Sequence, residues 1–191
     1  MNAEEFNALY QQSCDLVMPY LRLEGAQQDD PNSEEGKEAL RKGMEGLETI
    51  LKHNPSNWPA RWMLGKAQQA LNQHEEAYQS FLTAHRNVLT KHDVLRELGL
   101  ECLQTKRFSQ AVHYCHVAIE FDPDDATLWP NMAVAKLFNG SIDEAEQWAN
   151  KALAKIPGDV PASTVLKVIG EIRAGSRGIP TDFDKLCRGE E

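Results

Sequence analysis

Hydrophobic residues recur three and four positions apart in long stretches of the chain, the spacing of one face of an α-helix. Near the start, Phe6, Leu9, Tyr10, Leu16, Val17, Tyr20 and Leu21 fall on one broad side of a segment from about Glu4 to Leu23, interrupted by Pro19, which predicts a kinked helix. Leu40, Met44, Leu47, Ile50 and Leu51 keep the same phase and predict a second helix ending before Pro55. Between them GAQQDDPNSE is polar and rich in turn formers, and reads as a long flexible loop over residues 24–34. Near the end, Val165, Leu166, Val168, Ile169 and Ile172 follow Pro161 and predict a helix over 160–174. The stretch 175–191 is polar, with Ile179, Phe183 and Leu186 as its only large apolar groups, and is expected to be irregular.

The middle of the chain repeats itself. Residues 58–91, 92–125 and 126–159 align without a gap, at a period of about 34. Leu64-Gly65, Leu98-Gly99 and Met132-Ala133 fill the seventh and eighth places, where small residues let two helices approach. The twentieth place is always alanine (Ala77, Ala111, Ala145), as is the place two turns further on (Ala84, Ala118, Ala152). Phe81, Cys115 and Ala149 lie between these alanines and suit a core slot, and Pro123 and Pro157 close the second and third blocks.

These blocks resemble tetratricopeptide repeats over 58–159, with Trp129, Ala145, Ala152 and Pro157 where that family's motif puts Trp, Ala, Ala and Pro. The first block departs from the motif, carrying Arg61 at the Trp place and Leu89 at the Pro place. The resemblance implies an all-α fold, a right-handed α-solenoid of antiparallel helix pairs. Residues 1–57 then form a degenerate repeat, 58–91, 92–125 and 126–159 three full ones, and 160–174 a capping helix that shields the last apolar face.

The same resemblance implies an inner groove lined by the first helix of each repeat, and so a protein that grips a segment of another polypeptide. The groove places hold Trp62, Met63 and Lys66 in the first block, Arg96, Glu97 and Leu100 in the second, and Asn131, Val134 and Phe138 in the third. Large apolar and arginine side chains are common anchors at such surfaces. A peptide with hydrophobic anchors is expected there, with Arg96 or Lys66 engaging an acidic group. Against this, Leu103 and Leu137 read as core, Trp62 can pack on the upstream repeat, Phe138 on the terminal helix, and Arg96 and Glu97 can be ordinary solvated charges. The carboxylate clamp by which some members hold a chaperone C-terminus needs Lys, Asn, Asn, Lys and Arg where this chain has Trp62, Lys66, Glu97, Thr127 and Asn131, and none matches.

Composition narrows the partners. Acidic residues outnumber basic ones 29 to 20, for a formal net charge of -9, and no basic patch stands out, so nucleic acid and anionic membranes are not expected partners. No apolar run is long enough to span a bilayer and MNAEEFNALY does not read as a signal peptide, which points to a cytosolic, cytoplasmic protein. Cys14, Cys102, Cys115 and Cys187 show no CxxC spacing, and free thiols are expected. His113 and His116 are three apart on a predicted helix, but two ligands do not make a metal site, so neither metal nor other cofactor is expected. No GxSxG, P-loop or HExxH motif occurs, and no catalytic residue is assigned.

Two kinds of function fit. The first is an interaction scaffold or co-chaperone-like adaptor that binds a peptide in the groove. The alternative is a self-assembling module forming a homodimer through its N-terminal helix. Chaperones of type III secretion translocators, similar in size and plan, lie between the two on architecture alone.

Overall fold

The computed structural model describes residues 1–21, 28–88 and 91–190, with the backbone alone at His92. Among these residues the secondary structure is helical, without a strand. The chain divides into two units, Met1–Leu89 and Thr90–Glu191.

The first unit opens on α1 (Ala3–Val17). A capping box fixes its start: the Asn2 side chain accepts from the Glu5 amide at 2.8 Å, and the Glu5 carboxylate accepts from the Asn2 amide at 2.9 Å. The helix expected to run to Leu23 stops at Val17, and a 3-10 turn follows over Met18–Tyr20. Pro19 explains the change, since it offers no amide hydrogen and its ring crowds the preceding turn. Leu23 itself, and residues 24–27 of the expected loop, lie outside the described residues. Ser33 then caps α2 (Glu34–His53), accepting from the Gly36 amide at 3.0 Å. Gly43 and Gly46 let α1 and α2 touch: a Cβ at Gly43 would overlap Val17 Cγ1, and one at Gly46 would overlap Ser13 Oγ.

Next come α3 (Trp58–Ala70), capped by Asn57, and α4 (His74–Asn87). Leu40, Leu47 and Ile50 of α2 and Ala60 and Ala67 of α3 are fully buried, as are Phe81 and Ala84 of α4. Core filling of this kind is the main source of stability in a helix pair that cannot hide its apolar face alone.

The second unit consists of α5 (His92–Gln104), α6 (Phe108–Phe121), α7 (Leu128–Phe138), α8 (Ile142–Lys155), α9 (Val160–Arg173) and α10 (Phe183–Arg188). Asp159 caps α9, accepting from the Ala162 amide at 2.7 Å, and Pro161 occupies the first turn where its missing N–H is harmless. α9 packs on α7 and α8, burying Val165, Val168 and Ile169. Arg173 ties the outside of this packing with hydrogen bonds of 2.8 Å to both Glu146 oxygens and 3.0 Å to Asp143. The stretch 175–191, expected to be irregular, contains α10. Asp182 caps it by accepting from the Lys185 amide at 3.0 Å, and Gly189, at φ +69°, closes it.

Two features recur in the helix pairs. The turn between the helices is the same in α3–α4, α5–α6 and α7–α8. Asn72, Lys106 and Gly140 hold φ of 56°, 60° and 81°, and the next amide donates across the turn, Gln73 to Gln68 O at 2.9 Å, Arg107 to Cys102 O at 2.7 Å and Ser141 to Lys136 O at 2.9 Å. The residue at the eighth place is small in all three pairs, and in the first two a side chain of the second helix lies against it. Gly65 lies under the Phe81 ring, Gly99 under Cys115 Sγ, and Ala133 and Ala149 are both fully buried.

Candidate peptide-binding surface

In the first unit the three expected groove residues all lean on the protein itself. Trp62 packs against the hydrophobic cluster of α1, α2 and α3, and its indole nitrogen is buried without a hydrogen-bond partner. Met63 belongs to that cluster. Lys66 is 3% exposed, and its ammonium donates to the Gln69 side-chain oxygen at 2.8 Å. A cation this buried, already held by its own helix, is poorly placed to reach out to a ligand.

The same unit holds a cavity of about 540 Å³ lined by α2, α3 and α4. Arg61, at the Trp place of the repeat, and Gln68 line it together with Glu48, Glu75 and Ser80. Ser80 Oγ donates to Gln68 Oε1 at 2.7 Å. A slim guanidinium stands where the motif places an indole, which is one physical reason for the space. Burial pushes the Arg61 guanidinium below its ordinary pKa, Glu48 opposes that shift, and Arg61 Nε is buried without a hydrogen-bond partner.

In the second unit the expected residues separate into two groups. Arg96 Nη2 lies 3.6 Å from Asp93 and 3.8 Å from Glu97, so the arginine expected to meet an acidic ligand sits among acids of its own helix. Glu97 is buried, whereas Leu100 and Asn131 are half-buried and keep part of their surface open. Val134 and Phe138 are buried. Leu103 and Leu137 are core residues, at 1% and 0% exposure.

Phe138 is covered, with two aromatic rings from other helices against it. Its ring lies 5.3 Å from that of Phe108, at the start of α6, and 6.0 Å edge-on from that of Phe183 in α10. Gln104, the last residue of α5, donates to Asp184 Oδ1 at 2.7 Å. Leu186, one turn beyond Phe183, is buried. Ile179, on the approach to α10, comes within 3.7 Å of where a Cβ on Gly140 would stand. The last helix thus meets the end of α7 through the Phe183 ring and the end of α5 through the Asp184 hydrogen bond, with Leu186 buried beside them. The reading of the sequence did not assign this seat. Its trace was present in Ile179, Phe183 and Leu186, four and then three apart, between Asp182 and Gly189.

On α6, His116 pairs with Glu120 at 3.4 Å and the His113 ring lies 5.3 Å from that of Tyr114. Among the described residues no three His, Cys, Asp or Glu side chains gather as metal ligands, and no helix is long and apolar enough to cross a membrane.

No protein-family model matches the chain, and no curated protein is similar to it at a significant level. Solved structures are. YrrB, described as a TPR protein with an unusual peptide-binding site, is 18% identical, with a TM-score of 0.66 over 99% of each chain. A structure of MamA is 17% identical, with a TM-score of 0.67 over 86% of this chain and 92% of that one. A tetratricopeptide repeat protein from Parabacteroides merdae is 16% identical, with a TM-score of 0.70 over 98% of this chain and 67% of its own. The chain has the all-α solenoid fold of tetratricopeptide-repeat proteins.

Proposed function

We propose that this protein is an interaction module that binds a segment of another polypeptide on the exposed faces of its first helices, and that it has no catalytic role. The fold carries this reading: it is shared along the full length of YrrB, a protein described as having a peptide-binding site. Within the second unit, half-buried Leu100 and Asn131 give α5 and α7 the mixed apolar and hydrogen-bonding character that suits a peptide. On the same helices Glu97, Val134 and Phe138 are buried and Arg96 is half-buried. On α3, Met63 and Lys66 are buried and Trp62 is half-buried.

The alternative is a homodimer through the N-terminal helix, where Val17 is fully buried while Phe6, Leu9 and Tyr10 are half-buried against the core of their own unit.

Site-specific photo-crosslinking tests the proposal. A photoreactive residue replaces Leu100, Asn131 or, as a control, exposed Gln147 on α8. The expected result in cell extract is one polypeptide captured from positions 100 and 131 and not from 147. Equal capture at all three positions, or none at 100 and 131, overturns it.

A further inference from the structure

Resting on the peptide-binding reading, we infer that α10 is a tethered ligand, and that the partner segment this face accepts is a short helix presenting phenylalanine, then an acidic residue, with leucine three positions after the phenylalanine. The occupant is present in the structure. Phe183 lies edge-on to Phe138, its neighbour Asp184 accepts from Gln104, and Leu186 is buried one turn on.

The manner of its seating sets α10 apart from the other helices. α1 to α4 pack on one another within the first unit and α5 to α9 within the second, whereas α10 has only six residues and reaches its seat through nine non-helical ones, 174–182, that include Gly175, Gly178 and Pro180. An isolated helix this short does not persist in water, so its order depends on the seat. Its contacts include both kinds that seat a bound peptide, apolar anchors and a side-chain hydrogen bond.

The tether is itself partly fixed, with Pro180 buried and Arg177 paired to Glu171 at 3.1 Å, so it holds such a segment at no less than the roughly millimolar effective concentration of a short flexible linker. A partner helix of equal intrinsic affinity, in the tens of micromolar, therefore meets a face closed about 10- to 100-fold by its own chain, and its apparent affinity falls by that factor. Access is opened by a partner that binds more tightly than α10, or by anything that weakens Phe183 or Asp184 at the seat.

The test uses the full chain and a synthetic peptide of residues 179–190 carrying a fluorophore at its N-terminus. Fluorescence anisotropy measures its binding to the native protein, to the double variant Phe183→Ala and Leu186→Ala, and to Gln104→Glu. The double variant removes the anchors of α10 and leaves α5 and α7 untouched, so the peptide is expected to bind it at least tenfold more tightly than the native chain. A peptide bearing the same two alanines is expected not to bind. Gln104→Glu sets a carboxylate against Asp184 without altering an apolar contact. It is expected to weaken the peptide and, through a dye on exposed Cys187, to show freer motion of α10. Equal affinity for native and doubly substituted protein, or no binding to either while circular dichroism shows both folded, overturns the inference. That outcome leaves the peptide-binding reading standing if crosslinks at positions 100 and 131 persist. Loss of those crosslinks with tight, sequence-dependent peptide binding removes the reading and leaves α10 as an intramolecular clasp.

Discussion

Replacing Gly65 by alanine pits helix propensity against packing. At an open helical position the change stabilises by about 1 kcal/mol, because glycine gives up more backbone freedom on folding. At Gly65 the new methyl would stand 2.7 Å from Phe81 Cε1 and 2.9 Å from Cδ1 and Cζ, well inside the 3.5–4.0 Å or so at which carbon atoms rest. Phe81 is fully buried and cannot swing into solvent, so the ring must leave its rotamer or α3 and α4 must part. Overpacking of this kind costs roughly 1–3 kcal/mol, which leaves a net loss of up to about 2 kcal/mol. Gly99 is the control, since its added methyl meets only Cys115 Sγ at 3.2 Å and nothing else closer than 3.9 Å. There propensity prevails, and Gly99→Ala is expected to be neutral or to stabilise by up to about 1 kcal/mol. Urea unfolding followed by circular dichroism gives both values, and adding Phe81→Leu to Gly65→Ala measures the coupling between the two positions. The reasoning fails if Gly65→Ala stabilises as much as Gly99→Ala, or if the coupling is zero within error.

Three further outcomes are expected. Lys106 holds a left-handed backbone at φ 60°, so Lys106→Gly should stabilise by about 1 kcal/mol in thermal melts, with a smaller gain for Asn72→Gly because asparagine tolerates that region. Asp159→Ala removes the side chain that caps α9 and should cost about 1 kcal/mol, whereas Asp159→Asn should recover most of it. Burial pushes the Cys102 and Cys115 thiols from 9.0 up to about 12. The folded state therefore holds their protons more tightly than the unfolded one, a contribution complete below pH 9.0 and lost as the pH rises towards 12. Stability measured across that range should fall, less steeply in Cys115→Ala, and a thiol reagent at pH 8 should modify exposed Cys187 while sparing Cys102 and Cys115.

The helical fold was legible in the sequence because its signal is repeated and steric. Ala77, Ala111 and Ala145, and Ala84, Ala118 and Ala152, mark positions where only a small side chain lets helices meet. The face offered to a partner was harder to read, because place in a repeat does not fix exposure. Lys66 and Glu97 stand at groove places, Lys66 as a candidate to engage an acidic group, and both are buried. Phe138 reads as an open anchor until Phe108 and Phe183 are found against it. The last helix escaped because it is under two turns long, too short for periodicity to register, and its order comes from contacts made far away in sequence. The end of α1 at Val17 rather than near Leu23 turned on one residue, Pro19, whose effect was expected as a bend and is in fact a change of helix type.

The volumes that meet inside each helix pair have a consequence for how such a chain can be rebuilt by recombination. Gly65 faces Phe81 and Gly99 faces Cys115, while Ala133 and Ala149 share the third set of places. A crossover between the two helices of a repeat would force the phenyl ring against an alanine in one product and leave a hollow over a glycine in the other. A crossover in the linkers between pairs keeps the matches within each pair. The heritable cassette of this protein is therefore the whole hairpin, and single helices are not interchangeable even though their sequences align without a gap.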